Sequence, residues 1–337
     1  MSNHAMGARL AAVALVTLIP AAASAQSVAD FYKGKTITLL VGSSAGGSYA
    51  LYGRALAEFM PRHIPGKPTM IAKFTGGQGG GLDVANSMSN TVKPDGLTIG
   101  MTQQTIVLHQ VLLPKFAKYD ARKWYWLGNV SPIRNMMMVS DKSKAQTLAD
   151  TKKFEVIVGA TGPSSPTAIL PKTLNKLYGS KFKVVFGYKG IGGLKLALRR
   201  GEIEGYGGSW VAVVTQLPTE LKEGKVKALV FASRTREPTN PDVPTLVEVL
   251  PDEKAKKVAN FLAAESDYGR SLFLGPGVPA ERAAALRKAF EDTMKDADFL
   301  AMAKKLRIPV EPTSGDSLAA LTQDIVATPT EILDLAK

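Results

Sequence analysis

The stretch TLLVGSSAGGSYA, from Thr38 to Ala50, contains the first residues whose types and spacing could do chemistry. Its apolar start predicts a buried strand and its end predicts a helix, with a loop of small residues between them. Residues 42–46 read Gly-Ser-Ser-Ala-Gly, which matches the G-x-S-x-G pattern that presents the serine nucleophile of α/β-hydrolases. Ser44 is therefore a candidate nucleophile, and the alternative is a loop that only holds a ligand.

The histidines argue against the hydrolase. After residue 25 the chain contains only His63 and His109, and none of the 228 residues after His109 is a histidine. A hydrolase of this class needs its histidine late in the chain, after the acid of the triad. Neither histidine has a second ligand at helical spacing, and the chain contains no cysteine. The sequence therefore predicts no catalytic residue, no metal site and no cofactor.

A second loop is unusually rich in glycine. In FTGGQGGGLD, from Phe74 to Asp83, five of the six residues 76–81 are glycine. The loop lacks the Lys-Ser/Thr of a P-loop, and Leu82 occupies the place where a dinucleotide fingerprint requires its last Gly or Ala. One or two glycines suffice for a tight turn, so five favour a loop whose backbone N–H groups approach an anion at a helix N-terminus.

The same strand-loop-helix arrangement recurs in GATGPSSPT, from Gly159 to Thr167. The hydroxyls of Ser165 and Thr167 could cap the following helix or donate to a ligand. Three such loops present donors without a base, a metal or a nucleophile. In open α/β sheets, ligands bind beyond the carboxyl ends of the strands, where these loops lie. The pattern therefore predicts the binding of an anion.

Composition narrows the class of protein. The formal net charge is +13, but the lysines and arginines are dispersed, so no nucleic-acid partner is predicted. Arg9, an apolar run and Ala23-Ser24-Ala25 predict a signal peptide over residues 1–25 and therefore export to the periplasm. No later stretch has 18 consecutive apolar residues, so stable insertion into a membrane is not expected.

Strands and helices alternate in two successive runs, which predicts an α/β protein with two lobes. The predicted strands are 36–41, 69–74, 97–101, 154–158, 182–186, 203–206, 226–232 and 271–274. The predicted helices are 48–62, 82–90, 167–178, 192–200, 253–264, 280–295, 298–306 and 316–327, with one more between the strands 203–206 and 226–232. The segments KWYWLGNVSPIRNMMMVSDKS and LVFASRTREPTNPDVPT are interpreted as crossings between the lobes, with Met136, Met137 and Met138 in the core.

The order and spacing of these motifs resemble the substrate-binding receptors of tripartite tricarboxylate transporters, the Bug receptors. The resemblance extends from FYKGKTITLLVG to DIVATP. It rests on AGGSYALYGRALAEFM, GGQGGG, KPDGLTIGM, VGATGPSSPT, FGYKGIGGLKLALRRGEIEG, NPDVPTLVE and PGVPAERAAALRKAFEDTMKDADFLAMAKKL. It implies a type II periplasmic binding protein with two doubly wound, Rossmann-like lobes joined by two crossing strands. Lobe 1 would comprise residues 26–130 and 236–337, including a helical C-terminal extension, and lobe 2 residues 131–235.

The resemblance also implies a ligand site between the lobes. In lobe 1 it assigns Ser43, Ser44, Gly46, Gly47, Ser48, Tyr49, Gly77, Gln78, Gly79, Gly80, Gly81 and Thr102. In lobe 2 it assigns Thr161, Gly162, Ser164, Ser165, Tyr188, Lys189 and Gly190. Trp210 is either a flank for the body of the ligand or part of the lobe core. Three residues depart from the family pattern, since Ala45 replaces Pro, and Ala50 and Glu204 each replace Asp.

The implied function is capture of a mono-, di- or aromatic carboxylate, without turnover, by a monomer that delivers it to the large and small membrane subunits of a permease. Two alternatives stay open. One is a secreted serine hydrolase that uses Ser44, and the other is a receptor that reports ligand occupancy to a signalling partner.

Overall fold

The structure, a computed structural model, describes residue 1 and residues 27–45, 48–76, 81–163 and 165–336. The predicted signal peptide, apart from Met1, lies outside these residues. Within them, no helix has both the length and the apolar character needed to cross a membrane.

Eleven strands form two sheets in the described part of the chain. The strands of the first sheet are β1 (Thr36–Val41), β2 (Thr69–Phe74), β3 (Thr98–Met101), β4 (Tyr125–Asn129), β10 (Ser271–Leu274) and β11 (Thr313–Ser314). Those of the second are β5 (Asn135–Ser140), β6 (Val156–Ala160), β7 (Phe182–Phe186), β8 (Gly205–Ser209) and β9 (Val226–Ala232).

Helices cover both sheets. Those of the N-terminal half are α1 (Val28–Tyr32), α2 (Ser48–Phe59), α3 (Leu82–Asn90), α4 (Ile106–Leu112), α5 (Pro166–Tyr178) and α6 (Gly190–Arg200). The next are α7 (Trp210–Gln216), α8 (Pro218–Lys222), α9 (Leu246–Val249), α10 (Glu253–Ala263) and α11 (Glu265–Tyr268). The last are α12 (Ala280–Thr293), α13 (Ala297–Leu306), α14 (Gly315–Val326) and α15 (Thr330–Ala336).

Each sheet has a parallel part and an antiparallel part. The first runs β11-β4-β10-β3-β1-β2, with β1 parallel to both β2 and β3 and with β10 antiparallel to β3 and β4. The second runs β7-β6-β8-β5-β9, with β6 parallel to β7 and β8 and with β5 antiparallel to β8 and β9. Two sheets with helices packed on them confirm the predicted α/β class.

The second sheet is buried on both faces. In β5, Met137 and Val139 belong to one core cluster, whereas Met136 and Met138 belong to another. Successive side chains of a strand point to opposite faces, so this alternation requires apolar packing on each side of the sheet. The prediction that the three methionines are core residues is confirmed, since each is at most 1% exposed.

The two connections between the sheets differ. Residues 130–134 lead directly from β4 to β5, whereas the return from β9 to β10 includes α9, α10 and α11. Helix α10 packs in both directions: Ala255 and Ala259 join the core of the second sheet, while Val258 and Phe261 join a core of the first. The exact lobe boundaries, including those at residues 130 and 235, stay predictions.

Several predicted elements differ from those observed. The helix predicted over residues 48–62 ends as α2 at Phe59 and continues as a 3₁₀ helix over Met60–His63. Pro61 explains the change, because proline lacks the N–H that an α-helix needs and clashes with the carbonyl four residues earlier. Helices α4 and α15 were not predicted, and β4 and β5 are regular strands within the segment interpreted as a crossing.

Candidate functional site

Three strands of the first sheet end side by side. Val41, the last residue of β1, pairs with Phe74 at the end of β2 and with Met101 at the end of β3. All three strands are parallel, so the loops that follow them leave from one edge of the sheet. That edge, the carboxyl end, is where open α/β sheets bind ligands. Residues from about 42, 75 and 102 onward are therefore neighbours although they are distant in sequence.

The first of these loops follows β1. The N–H of Ser43 donates to the carbonyl of Val41 at 2.9 Å, and the carbonyl of Ser43 accepts from the N–H of Gly76 in the second loop at 3.2 Å. Ser43 is buried and Ser44 is exposed. Gly46 and Gly47 lie outside the described residues, and α2 begins at Ser48. The first two loops are thus held together by their backbones.

The second loop is bounded by two glycines in the left-handed region, Gly76 with φ of +86° and Gly81 with φ of +87°. Gly77, Gln78, Gly79 and Gly80, which were predicted as ligand contacts, lie outside the described residues. A Cβ placed on Gly42 would lie 2.8 Å from the Cα of Gly81, and one on Gly81 would lie 3.2 Å from Thr102. Because Gly42 and Gly81 have no side chains, the three loops can approach each other closely.

Tyr49 joins this edge to the antiparallel part of the protein. Its hydroxyl accepts from the N–H of Gln104 at 3.0 Å and lies 2.7 Å from Gln104 Oε1 and 2.9 Å from the carbonyl of Gly269. Burial raises the pKa of this phenol well above its ordinary value, which keeps the hydroxyl protonated. Gln104 was not predicted as a site residue.

Arg270 is a second residue that the sequence did not indicate. Its side chain is fully buried, and its Nη2 lies 3.4 Å from the hydroxyl of Ser48, the first residue of α2. Its Nη1 donates to the carbonyl of Pro132 at 3.0 Å. A guanidinium therefore lies behind the N-terminus of the helix that follows the first loop.

His63 and His109, the two histidines among the described residues, are positioned away from Ser44 or buried. His63 Nε2 lies 2.9 Å from a carboxylate oxygen of Asp296, at the far end of α2 from Ser44. Burial lowers the pKa of His109 to about 4, so this ring is neutral at pH 7. Among the described residues, neither ring is hydrogen-bonded to Ser44. The same part of the chain contains no cluster of three acidic or histidine side chains arranged to hold a metal ion.

In the second sheet, the loop after β6 is rigidified by hydroxyl groups. Thr167, which is 4% exposed, accepts from the N–H of Thr161 at 3.0 Å and lies 2.5 Å from the hydroxyl of Ser165. Ser165 donates to the carbonyl of Gly162 at 2.8 Å and makes no side-chain cap to α5. Its hydroxyl shapes the turn rather than capping the helix. Ser164 lies outside the described residues.

The loop after β7 adds a cation and an aromatic ring. Tyr188 is half-buried against a core cluster of the second sheet, while Lys189 is exposed at the N-terminus of α6. Gly190 has φ of +63°, a conformation that favours glycine. Since β6, β7 and β8 are parallel neighbours, the loops after β6 and β7 share one edge of the second sheet.

Trp210 lies in the core of the second sheet and is 5% exposed. Its indole N–H donates to the Thr239 hydroxyl at 2.8 Å, and its ring packs edge-on against Phe231. It also lines a cavity of about 320 Å³ together with Arg134 and Glu237. These contacts fit the core alternative that the sequence left open, and a ligand contact for Trp210 stays a prediction.

Glu204, where the family pattern has Asp, has a backbone partner. One of its carboxylate oxygens accepts from the N–H of Ile157 at 2.9 Å. Ile157 is the second residue of β6 and Glu204 immediately precedes β8, so this bond lies near the start of both strands and away from their carboxyl ends. Ala50, the other replacement of Asp, is fully buried in α2. The Glu204 side chain therefore links the starts of β6 and β8 by a hydrogen bond. Ala50 contributes no polar group to the candidate site.

The comparisons with known proteins bear on the fold of the chain. The UPF0065 protein in the TAR-I ttuE-ttuC′ intergenic region of Agrobacterium vitis is 25% identical over an alignment 343 residues long, gaps included, and the alignment covers 98% of this chain and 91% of that protein. A TctC solute-binding protein from Polaromonas superposes with a TM-score of 0.67 at 21% identity, covering 90% of this chain and 98% of that one. The chain has the fold of the TctC solute-binding proteins.

A second solved structure with this fold contains a ligand. MatC from Rhodopseudomonas palustris, with bound malate, superposes with a TM-score of 0.59 at 21% identity over 90% of this chain and 99% of that one. No protein-family model matches the chain. The resemblance to tripartite tricarboxylate transporter receptors that the motifs indicate is confirmed, and so is the periplasmic-binding-protein fold. The individual contact residues stay predictions.

Proposed function

We propose that this protein is a periplasmic receptor that captures an organic carboxylate between two lobes and delivers it to a tripartite tricarboxylate-type permease. The observation that carries the proposal is the shared edge of the first sheet, where loops of small and hydroxyl-bearing residues follow β1, β2 and β3. A monomer suffices for this function, and neither nucleic acid nor a cofactor takes part.

The chemistry of that edge suits a carboxylate. Backbone N–H groups, the Ser43 and Ser48 hydroxyls and the N-terminus of α2 all favour an acceptor with negative charge. Each hydrogen bond to a charged group contributes about 1.5–3 kcal/mol, so a few of them suffice for selective capture. The malate bound by MatC, a protein with the same fold, supports a small organic acid as the ligand.

Binding without turnover is the expected outcome. Ser44 is exposed and His63 pairs with Asp296 at the other end of α2. Serine at its free pKa is a weak nucleophile unless a base activates it. The exposed Ser44 is therefore better suited to donate a hydrogen bond than to attack an ester.

A thermal-shift screen followed by calorimetry tests the capture. A ligand at one hundred times its Kd stabilises the folded state by about 2.7 kcal/mol, which is readily measured as a rise in Tm. The screen covers aliphatic mono-, di- and tricarboxylates and aromatic acids. Stabilisation by one of these classes supports the proposal, and the absence of any shift across the panel contradicts it.

Gly162 offers a variant that separates binding from folding. A Cβ at residue 162 would meet no atom within 4 Å, so Gly162→Val should fold normally. If the loop after β6 contacts the ligand, the new side chain occupies the approach and weakens binding at least tenfold. Gly192→Val is the matched control, because a Cβ there also meets no atom within 4 Å and residue 192 is not a predicted contact. Equal affinities for all three proteins would remove this loop from the site.

Delivery to a permease is tested in cells of the source organism. Deletion of the gene should abolish uptake of the identified acid, and expression from a plasmid should restore it. If uptake is unchanged and a transcriptional response to the acid is lost instead, the receptor serves a signalling partner, which is the alternative that the sequence left open.

A further inference from the structure

Arg270 is a buried cation with no carboxylate in direct contact with it. Its side chain is 0% exposed, and among the described residues no carboxylate lies within 4 Å of its guanidinium. The guanidinium of arginine is always cationic in proteins, so burial does not remove this charge. A charge taken out of water is costly unless it is paired or solvated by dipoles.

The hydrogen bonding of the Arg270 guanidinium is incomplete, and its aromatic contacts are weak. One carbonyl, that of Pro132, accepts from Nη1, and the buried Nε has no acceptor. The guanidinium carbon lies 4.8 Å from the ring centre of Tyr52 and 5.7 Å from that of Tyr49. Such cation–π contacts offset only part of the desolvation cost. The guanidinium is therefore a source of positive potential that its direct contacts leave largely unneutralised.

The Arg270 charge fixes the role of the Ser48 hydroxyl. Every polar hydrogen-bonding group of arginine is a donor, so the contact at 3.4 Å between Nη2 and Ser48 Oγ makes the serine oxygen the acceptor. The hydroxyl hydrogen of Ser48 then points to another acceptor. Ser48 is half-buried, so it is in reach of a group bound from outside. Arg270 thus orients Ser48 as a donor and adds positive potential behind it.

The N-terminus of α2 has no counter-charge of its own. The first turn of this twelve-residue helix contains no acidic residue. The helix dipole adds further positive potential at this end. An ammonium group on the ligand near Ser48 would meet the same potential and would find no carboxylate on this turn to receive it.

We propose that Arg270 is a positioning residue that makes the ligand an organic acid without an amino group beside the carboxylate bound at Ser48. The inference rests on the proposed carboxylate receptor and narrows its substrate class to non-amino acids. A carboxylate that accepts from Ser48 places the nitrogen of an α-amino group roughly 6–9 Å from Nη2, because two hydrogen bonds and three covalent bonds separate the two nitrogens. At that separation an ammonium ion is repelled in a partly buried site.

Matched pairs of acids measure this selection directly. Calorimetry compares succinate with aspartate, glutarate with glutamate, and adipate with 2-aminoadipate, because each pair differs only by one amino group. The wild type is expected to bind the member of the preferred pair that lacks the amino group at least tenfold more tightly. Equal or tighter binding of the amino acid would overturn the inference, while the carboxylate receptor would stand. If none of the acids, nor any other carboxylate, binds, both fail.

Variants of Arg270 test whether this residue causes the preference for acids without an amino group. Arg270→Met removes the charge and keeps an apolar side chain of similar length, so the affinity ratio within a pair should fall toward one. Arg270→Lys restores the charge and should restore the ratio. Arg282→Met is the matched control, since Arg282 also covers an aromatic ring, that of Phe31 at 3.5 Å, and donates to a carbonyl, that of Asp95. It should leave the ratio unchanged.

A purely structural Arg270 would lower Tm without changing the ratio, and that result in a folded Arg270→Met protein would overturn the inference. If Arg270→Met does not fold, Ser48→Ala tests the Arg270–Ser48 contact instead, because Ser48 is partly exposed and its replacement leaves the buried charge in place. It should weaken binding of the acid that lacks the amino group at least fivefold, and an unchanged affinity would overturn the role of the Arg270–Ser48 contact.

Discussion

Gly42 and Gly81 face each other so closely that a Cβ on Gly42 would lie 2.8 Å from the Cα of Gly81. The two residues belong to different loops, one after β1 and one before α3, and the N–H of Gly42 also donates to the carbonyl of Met101 at 2.8 Å. The atom in the way is backbone, which cannot rotate aside as a side chain would. This contact holds the loops after β1, β2 and β3 at one edge.

Gly42→Ala should therefore separate these loops. We expect a loss of about 1–3 kcal/mol in the free energy of unfolding, the usual cost of overpacking. Binding of the carboxylate should weaken as well, because the donors move apart. Urea unfolding and calorimetry measure the two effects. Gly192→Ala is the control, since it adds the same methyl group in open space. Unchanged stability and affinity in Gly42→Ala would mean that the contact is not needed.

Tyr49→Phe removes a hydroxyl that forms hydrogen bonds with Gln104, in the loop after β3, and lies 2.9 Å from the carbonyl of Gly269. The N–H of Gln104 loses its acceptor at a buried position, so we expect a cost of about 1–3 kcal/mol in the free energy of unfolding. Chemical denaturation measures it. Tyr178→Phe, which removes a hydroxyl from a less buried tyrosine, should cost less than half as much. Equal costs would show that the Tyr49 contacts do not stabilise the fold.

Glu265 gives the protein a predicted pH dependence. Burial raises the pKa of this carboxyl from 4.5 to about 7, although Asn135 Nδ2 donates to it at 2.8 Å. Between pH 4.5 and 7 the unfolded chain loses this proton while the folded protein retains it, so the contribution of Glu265 to stability falls as pH rises. Below pH 4.5 the contribution is at its maximum.

Glu265→Gln should remove that decline. Relative to the wild type, the variant should gain about 2 kcal/mol in the free energy of unfolding between pH 5 and pH 8. Denaturant unfolding at both pH values measures the difference. Glu281→Gln, at an exposed carboxyl, should show no such gain. A constant difference between wild type and Glu265→Gln across this range would contradict the raised pKa.

The two sheets should move toward each other when ligand binds. Donors at the carboxyl ends of both sheets can hold one ligand together only in a closed state, so ligand shifts the balance toward closure. Small-angle scattering should show a smaller radius of gyration with a saturating ligand than without. Identical curves with a ligand already proven by calorimetry would favour a pocket that is closed beforehand.

Much of the fold is readable in the sequence. Strands β1, β2, β7, β9 and β10 have the predicted bounds, because each is a short apolar run flanked by turn residues. Helices α4 and α15 were missed because each is only seven residues long, too short for a clear helical period. β4 and β5 show little alternation, since they are buried on both faces.

The candidate site divides in the same way. The three donor loops follow from strand-loop-helix patterns that are local in sequence. The contacts of Tyr49 with Gln104 and Gly269 join residues 55 and 220 positions apart, and Arg270 lies 222 positions from Ser48. No local pattern encodes such pairs, so Arg270 became recognisable only when the fold brought it behind α2.

The most direct test of the account is a calorimetric titration of the acid found in the thermal-shift screen against its uncharged amide. The two molecules have nearly the same shape and differ in charge at the carboxyl groups. The account predicts binding of the acid at one site per chain and at least a hundredfold weaker binding of the amide. Equal affinities for the two, or no binding of any carboxylate, would contradict the claim that these loops hold an anion.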